Sequence, residues 1–203
     1  MSSAAPAIEV QEARPEHAEA LGRLFASSGY GCYCRYWHFG GGPREWQIRC
    51  AQTPELNAAE FSERFALGGA DVRGLVALIP AGEIVGWLKL APASTVQKVY
   101  DQRLYKGLPC FAGDRSGVFT IACVQVREGW RRRGVARALM QRAVDVARAW
   151  GARSIEAFPR RDSDMSDASL MMGPLTVFEE LGFEVVRDFT PYPVLRKELG
   201  GTP

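Results

Sequence analysis

Hydrophobic and polar residues recur along most of the chain with the periods of strands and helices. In the first half, residues 8–13 alternate between apolar and polar positions, which predicts a strand. Thr53 and Pro54 suit the N-cap and the first residue of a helix. The pattern of this half predicts, in chain order, a strand at 8–13, helices at 16–25, 43–51 and 54–67, strands at 74–79 and 84–90, and a short helix at 96–104.

The second half carries the strongest pattern. Residues 118–126 are almost continuously apolar, which is typical of a central strand covered on both faces. Residues 135–150 place apolar side chains on one helical face, and Gly151 stands where a helix commonly ends. Shorter elements follow, predicted as a strand at 154–158, a helix at 175–181 and strands at 183–186 and 194–196. This order predicts an α/β fold in which helices flank a mixed central sheet.

The segment between the central strand and the long helix has the composition of an anion site. It contains Arg131, Arg132 and Arg133 directly before Gly134, and Arg137 follows inside the helix. A helix N-terminus offers unpaired N–H groups and a partial positive charge, so it binds phosphates well. Arginine side chains add charge-assisted contacts, and glycine permits a close approach of the backbone. Neither of the common glycine-rich nucleotide motifs occurs here.

Arg131, Gly134 and Ala136 match a pattern of Gln or Arg, two variable residues, Gly, one variable residue and Gly or Ala. In this context the segment resembles motif A of the GNAT N-acetyltransferase superfamily. Residues 178–183, Phe-Glu-Glu-Leu-Gly-Phe, are similar to that family's late Tyr-x-x-x-Gly-Phe element. The resemblance implies a GNAT-like, mostly antiparallel sheet flanked by helices, with acetyl-CoA as co-substrate. The implied acetyl-CoA contacts are Val124 and Val126 for the pantetheine arm, Arg131, Arg132, Arg133, Gly134, Val135, Ala136 and Arg137 for the pyrophosphate, and Phe178 for packing.

The sequence departs from the family at the position of its late tyrosine, which in many members protonates the departing thiolate of CoA. Phe178 stands there and has no proton to give. Tyr192 and Cys123 are candidate substitutes, although the sequence does not place either one near the sulfur. Glu156, inside an apolar run, is the candidate general base, because a carboxylate facing a cleft suits that role. Its structural alternative is an ion pair with an arginine such as Arg160.

The cysteine-aromatic loop, residues 29–42, is the most unusual stretch of the first half. Tyr33, Tyr36 and Trp37 are candidate acceptor-binding residues, because aromatic walls hold apolar or cationic ligands. Cys32, Cys34 and His38 could form a metal or redox site, but Cys-x-Cys is not the usual spacing of zinc ligands. Buried thiols packed beside aromatic rings are the favoured interpretation, so no metal is expected.

Composition and charge limit the classes of function. With 203 residues, 47% of them hydrophobic and 24% charged, the chain suits a single globular domain at 8–203 after a disordered tail at 1–7. A net charge of +2 and the local basic cluster give no indication of nucleic-acid binding. No segment has the length of a membrane span or the pattern of a secretory signal. Five cysteines without such a signal indicate reduced thiols in the cytoplasm.

Three functions follow from these patterns. The first is an acyltransferase that moves acetyl from acetyl-CoA directly to a primary amine of a small molecule or peptide. The second, motivated by Phe178, is a non-catalytic acyl-CoA-binding or regulatory module. The third is a thiol or metal sensor that uses Cys32, Cys34 and His38. Homodimers are frequent among proteins of the resembled family, so a homodimer is a further expectation by analogy.

Overall fold

The structure, a computed structural model, describes residues 7–161 and 172–200. The predicted tail at residues 1–7 lies outside them except for Ala7. The strands are β1 (Glu9–Glu12), β2 (Gly74–Leu78), β3 (Ile84–Pro92), β4 (Val118–Val126), β5 (Ser154–Ala157), β6 (Glu184–Arg187) and β7 (Val194–Glu198). The helices are α1 (Ala18–Ser27), α2 (Pro43–Gln52), α3 (Pro54–Ala66), α4 (Gln97–Tyr100), α5 (Val135–Ala149) and α6 (Leu175–Glu180). Each predicted element is present, but the helix predicted at 96–104 is reduced to α4 after a 3-10 turn.

One seven-stranded sheet, in the order β1-β2-β3-β4-β5-β7-β6, joins the strands. Every neighbouring pair is antiparallel except β4 and β5, which run parallel. The fold class predicted from the sequence, a mixed and mostly antiparallel sheet flanked by helices, is therefore confirmed. None of the helices in the described ranges is both long and apolar enough to cross a membrane.

The parallel strands β4 and β5 separate halfway along β4. Their pairing begins at Val118 with Ser154 and ends at Ile121 with Ala157. Strand β4 continues to Val126, paired on its other side with β3. The last five residues of β4 therefore have one edge that β5 does not cover. Because strand edges carry N–H and C=O groups, this opening exposes hydrogen-bonding backbone at the middle of the sheet.

Helix α5 has well-defined ends that fix its position beside this opening. Gly134 is the N-cap residue and adopts the left-handed conformation, with φ of 80°. At the other end, Gly151 N–H bonds to the Arg148 carbonyl and Ala152 N–H to the Ala147 carbonyl, both at 2.9 Å. This is the Schellman arrangement, which favours glycine at the left-handed position. The apolar face of the helix packs against β2, β3 and β4 in the largest core cluster.

Helix α5 rests on the sheet at a glycine, which allows a close approach. A Cβ atom at Gly86 of β3 would lie 2.7 Å from Val135 Cγ1 and 2.9 Å from Leu139 Cδ1. We expect Gly86→Ala to lower the free energy of unfolding by about 1–3 kcal/mol, because the helix must shift to admit the methyl group. Urea unfolding followed by circular dichroism measures this change.

Gly22→Ala in α1 is the matched control. A Cβ atom there meets nothing within 4 Å, so the substitution is expected to be neutral or to stabilise by about 0.4–1 kcal/mol. Equal destabilisation of the two variants would show that the contact between α5 and Gly86 is not tight.

Candidate active site

A cavity of about 510 Å³ opens where β4 separates from β5. Its size is in the range of small-molecule sites. Residues 123–126 of β4 form one wall, and the turn into α5 forms the floor. The remaining walls come from the loop after α1, through Ser28, Tyr30 and Cys32, and from α6 and the residue before it, through Pro174, Thr176 and Val177.

The floor of the cavity is a tight turn before α5. Arg132 and Gly134 both adopt positive φ, at 61° and 80°. Alternating left-handed residues turn successive N–H groups toward one side and create a concave anion site. No side chain caps the first turn of α5, so the N–H groups of Val135, Ala136 and Arg137 have no intrahelical partner. Both features direct partial positive charge into the cavity.

The arginines of the turn point in different directions. Arg131, Arg132 and Arg137 line the cavity, and Arg137 also forms an ion pair with Glu180. Arg133 does not line it; its guanidinium lies 5.4 Å from the ring centre of Trp130. The cavity therefore receives three of the four arginines predicted for an anion site.

The open edge of β4 presents the backbone of Val124 to the cavity. The carbonyl of Ala122 accepts a hydrogen bond of 2.7 Å from Trp37 Nε1, and that of Val126 one of 3.4 Å from Arg131 Nε. The N–H of Arg127 bonds instead to Val85 of β3. Backbone groups alternate in direction along a strand, so residues 122, 124 and 126 face the opening. Val124 thus presents its N–H and its carbonyl to the opening, between the Ala122 and Val126 carbonyls, which already accept hydrogen bonds.

Most residues predicted to bind acetyl-CoA lie at this cavity. The lining includes Val124, Val126, Arg131, Arg132, Gly134, Val135, Ala136 and Arg137. Arg133 and Phe178 are not part of it. Phe178 is 0% exposed and packs edge-on against Phe183, with ring centres 5.1 Å apart. Its neighbour Val177 lies at the cavity wall instead, because successive helical side chains point in different directions.

Glu156, the predicted general base, lies in a buried ion-pair network away from the cavity lining. It is 0% exposed, and its carboxylate accepts hydrogen bonds from Arg115 at 2.7 and 3.0 Å and from Arg196 at 2.6 and 3.1 Å. Tyr100 donates a further bond of 2.7 Å. Burial and the charge of Glu156 raise the pKa of Tyr100, which keeps the phenol a donor. Two guanidinium groups and a phenol thus occupy the lone pairs of this carboxylate, which favours the structural alternative of an ion pair, with Arg115 and Arg196 in place of Arg160.

Tyr192, the predicted acid, is also absent from the cavity lining. Its ring lies 5.4 Å from the guanidinium carbon of Arg160, and its carbonyl accepts a bond of 3.5 Å from Tyr105. The other candidate substitute, Cys123, does line the cavity.

The three aromatic residues predicted to bind the acceptor have structural contacts. Tyr33 packs against Phe25, with ring centres 5.9 Å apart. The Tyr36 ring packs on Trp37 and receives the Lys98 ammonium at 4.6 Å from its centre. Trp37 binds the backbone of β4 at the opening, as described above. None of the three belongs to the cavity lining, so these aromatic residues shape the loop, and Trp37 also binds the open strand.

The cysteine-aromatic loop does not form a metal site in the described residues. Within those ranges, no group of three or more His, Cys, Asp or Glu side chains is placed to hold a metal ion. His38 Nε2 lies 2.6 Å from Lys89 Nζ, so this nitrogen is occupied. Burial and the nearby Lys89 lower the pKa of His38 to about 3, which leaves the imidazole neutral and able to accept this bond.

Several residues at the cavity were not predicted. The contributions of Ser28, Tyr30 and Thr176 carry no signal in the sequence, because they depend on how distant elements meet. Outside the cavity lining, the sequence does carry a signal at Lys89, a lysine inside an apolar strand, which is 1% exposed. A buried amino group costs free energy unless it is hydrogen-bonded. The partners of Lys89 are the Cys34 carbonyl and His38, both in the cysteine-aromatic loop.

Comparisons with known proteins agree with this geometry. The sequence model described as the Acetyltransferase (GNAT) family matches residues 34–170, about two thirds of the chain. No curated protein matches the sequence.

Solved structures share the fold at low sequence identity. The yncA protein of Salmonella typhimurium, solved with its cofactor acetyl-CoA, has a TM-score of 0.55 at 17% identity over 96% of this chain and 95% of that one. A GCN5-related N-acetyltransferase from Kribbella flavida has a TM-score of 0.55 at 19% identity over 95% and 98%. The paia N-acetyltransferase of Thermoplasma acidophilum, in complex with coenzyme A, has 0.53 at 11% identity over 95% and 99%. At these identities the likeness shows the fold.

Proposed function

The chain belongs to the acetyltransferase (GNAT) family and is an acyltransferase, and from that premise we propose that it moves acetyl from acetyl-CoA directly to a primary amine. The acceptor is an amine of a small molecule or a peptide. Acetyl-CoA and coenzyme A are the ligands of two proteins with this fold, yncA and paia N-acetyltransferase. All five cysteines are free, and the cytoplasm keeps thiols reduced, so we propose a cytoplasmic location.

The observation that carries the proposal is the basic turn beside an open strand edge. A pyrophosphate is the anion that suits Arg131, Arg132 and the uncapped start of α5, because it spans several N–H groups and guanidinium groups at once. The pantetheine arm is extended and carries amides, so it fits beside β4 in the manner of an added strand. The Val124 carbonyl and N–H supply the matching groups.

The same strand edge supports the chemical step. Attack of an amine on a thioester places negative charge on the carbonyl oxygen, which a fixed N–H donor stabilises. The Val124 N–H faces the opening next to the place where pantetheine would lie. Holding the thioester and the amine in contact supplies much of the remaining acceleration, because it removes the entropic cost of a bimolecular encounter.

Binding and turnover are tested separately. We expect isothermal titration calorimetry to show binding of acetyl-CoA by the wild-type protein with a stoichiometry of one per chain. We expect thiol release from acetyl-CoA to rise when members of a library of primary amines and amine-bearing peptides are added. Absence of acetyl-CoA binding contradicts the proposal. Binding without amine-dependent thiol release supports instead the non-catalytic acyl-CoA-binding module.

A further inference from the structure

Two thiols meet at the inner end of the cavity. Cys123 belongs to β4, lines the cavity and immediately precedes Val124. Cys34 belongs to the cysteine-aromatic loop, is 5% exposed, and lies in the buried cluster against which Cys123 packs, so each thiol affects the titration of the other. We call Cys34 and Cys123 the thiol pair. Its outer member touches the space proposed for the thioester, and its inner member is closed off from solvent.

The inner thiol lies among hydrogen-bond donors and a cation. Trp87 Nε1 donates to Cys34 Sγ at 3.3 Å. Lys89 is the strand partner of Cys123, and its Nζ lies 3.4 Å from the Cys34 carbonyl oxygen. Neutral His38 accepts the other bond from Lys89, as described above. A fully buried ammonium next to a thiol that receives N–H and S–H donors favours a thiolate on Cys34.

The other charged side chains near the pair form an ion-pair network, in which Arg49 also binds Glu60. Arg35, the residue after Cys34, forms ion pairs with Glu60 at 2.6 Å and Asp71 at 2.8 Å. Arg64 also binds Asp71, at 2.8 Å. Although burial opposes ionisation, the bonds from Arg64 and Arg35 hold the pKa of Asp71 below its usual range. Lys89 and Arg35 both act on the Cys34 thiol. Burial lowers the pKa of Lys89, whereas the neighbouring Cys34 raises it.

The two thiols titrate in opposite directions. The hydrogen bond from Cys123 lowers the pKa of Cys34 against the effect of burial, and Lys89 and Trp87 lower it further. The same hydrogen bond and burial raise the pKa of Cys123. Cys32, the third thiol nearby, has its pKa raised to about 11 by burial, so it remains protonated. The opposite directions of these pKa shifts favour Cys34, the inner member, as the thiol that ionises first.

We propose that the thiol pair is the proton shuttle of this acyltransferase, with Cys123 as the catalytic residue and Cys34 and Lys89 as positioning residues. The inference rests on the acetyl transfer proposed above. It names the groups that replace the late-motif tyrosine and the general base, roles that Phe178, Tyr192 and Glu156 do not fill from their places outside the cavity.

The proton balance closes within one turnover. As the amine nitrogen forms its bond to the acetyl carbon, the nitrogen loses a proton to Cys123 Sγ, and the proton already on Cys123 moves to the Cys34 thiolate. Both thiols are then protonated. When the bond between carbon and the CoA sulfur breaks, that sulfur takes the proton of Cys123, and the Cys34 proton returns to Cys123. The products are an amide and CoA thiol, and the pair regains its resting charge.

The first test needs no acceptor. We expect the ultraviolet absorbance of the wild-type protein to show a thiolate that titrates well below the pKa of about 8.5 of a free cysteine. Cys34→Ser should remove this thiolate, and Cys123→Ala should move its titration to higher pH, because the thiolate loses its S–H donor. Cys110→Ala is the matched control, since Cys110 lies at a separate surface pocket, and it should change nothing. A wild-type protein without such a thiolate overturns the proposal.

The second test uses the most active amine from the screen described above. Cys123→Ala should lower kcat by about 10²-fold, the contribution typical of proton transfer, with an unchanged Kd for acetyl-CoA. Cys34→Ser should move the low-pH limb of the rate profile upward, an effect that a purely structural role does not produce. Wild-type turnover with undiminished kcat in Cys123→Ala overturns the shuttle and leaves the proposed function intact. Failure of wild type to bind acetyl-CoA overturns the proposed function instead.

Discussion

Arg132→Glu is expected to weaken acetyl-CoA binding by about 100-fold. Arg132 lines the floor of the cavity within the turn proposed to hold the pyrophosphate. A charge-assisted hydrogen bond contributes about 1.5–3 kcal/mol, and each 1.4 kcal/mol changes Kd by about tenfold. A carboxylate at the same place adds repulsion toward the phosphates. Isothermal titration calorimetry with acetyl-CoA measures the change.

Arg133→Glu is the matched control, because the two substitutions change the net charge equally and at adjacent positions. Arg133 faces Trp130 and does not line the cavity. Loss of this cation–π contact is expected to change Kd by less than about fivefold. Equal effects of the two substitutions would show that general electrostatic attraction, rather than the shape of the turn, binds the cofactor. Added salt should reduce the difference, since exposed charges are screened.

The fold was predictable because its central elements carry strong local patterns. Strand β4 is apolar over its whole length and its predicted bounds match those of the structure. Helix α5 has an apolar face together with a glycine at each end, and both signals act over a few residues. The pairing of the strands and the separation of β4 from β5 depend on contacts between distant segments. No local pattern contains that information.

The clustering of the basic turn at one cavity was predictable for the same reason. The turn from residue 131 to 137 is continuous in sequence, so its residues reach the cavity together, with Arg133 as the exception. The sequence made Cys123 a candidate, but its proposed pairing with Cys34 was not predictable, since the two residues come from separate elements. Cys34 and Cys123 are brought together only when the cysteine-aromatic loop packs onto the sheet.

Glu156 and Lys89 show how one sequence signal leads to two different environments. Each is a charged residue inside an apolar strand and each is almost completely buried. Glu156 meets two arginines that neutralise it, whereas Lys89 meets a neutral imidazole, a carbonyl and a thiol. A neutralised carboxylate stabilises the sheet. An ammonium beside a thiol changes the chemistry of that thiol, so the partners decide the role of each charge.

Glu156→Gln is expected to lower the free energy of unfolding by about 3–5 kcal/mol, because breaking a buried ion pair leaves uncompensated charges. Arg115 and Arg196 would then face an amide that has one acceptor and its own N–H donors. Urea unfolding followed by circular dichroism measures the change. Glu198→Gln is the control, since Glu198 contacts Arg196 at 4.0 Å on the surface, where an ion pair contributes about 0–1 kcal/mol.

The same variant separates the structural role of Glu156 from the catalytic one. If the carboxylate only joins β5 to β7 and to the segment before β4, Glu156→Gln loses stability, while the folded fraction keeps its acetyl-CoA affinity and its kcat at low temperature. A general base gives the opposite result, because an amide cannot accept the proton of the amine. Unchanged stability with a large loss of kcat would return Glu156 to the reaction and displace the thiol pair from it. We expect the loss to be one of stability, since every described partner of the carboxylate is a donor already bound to it.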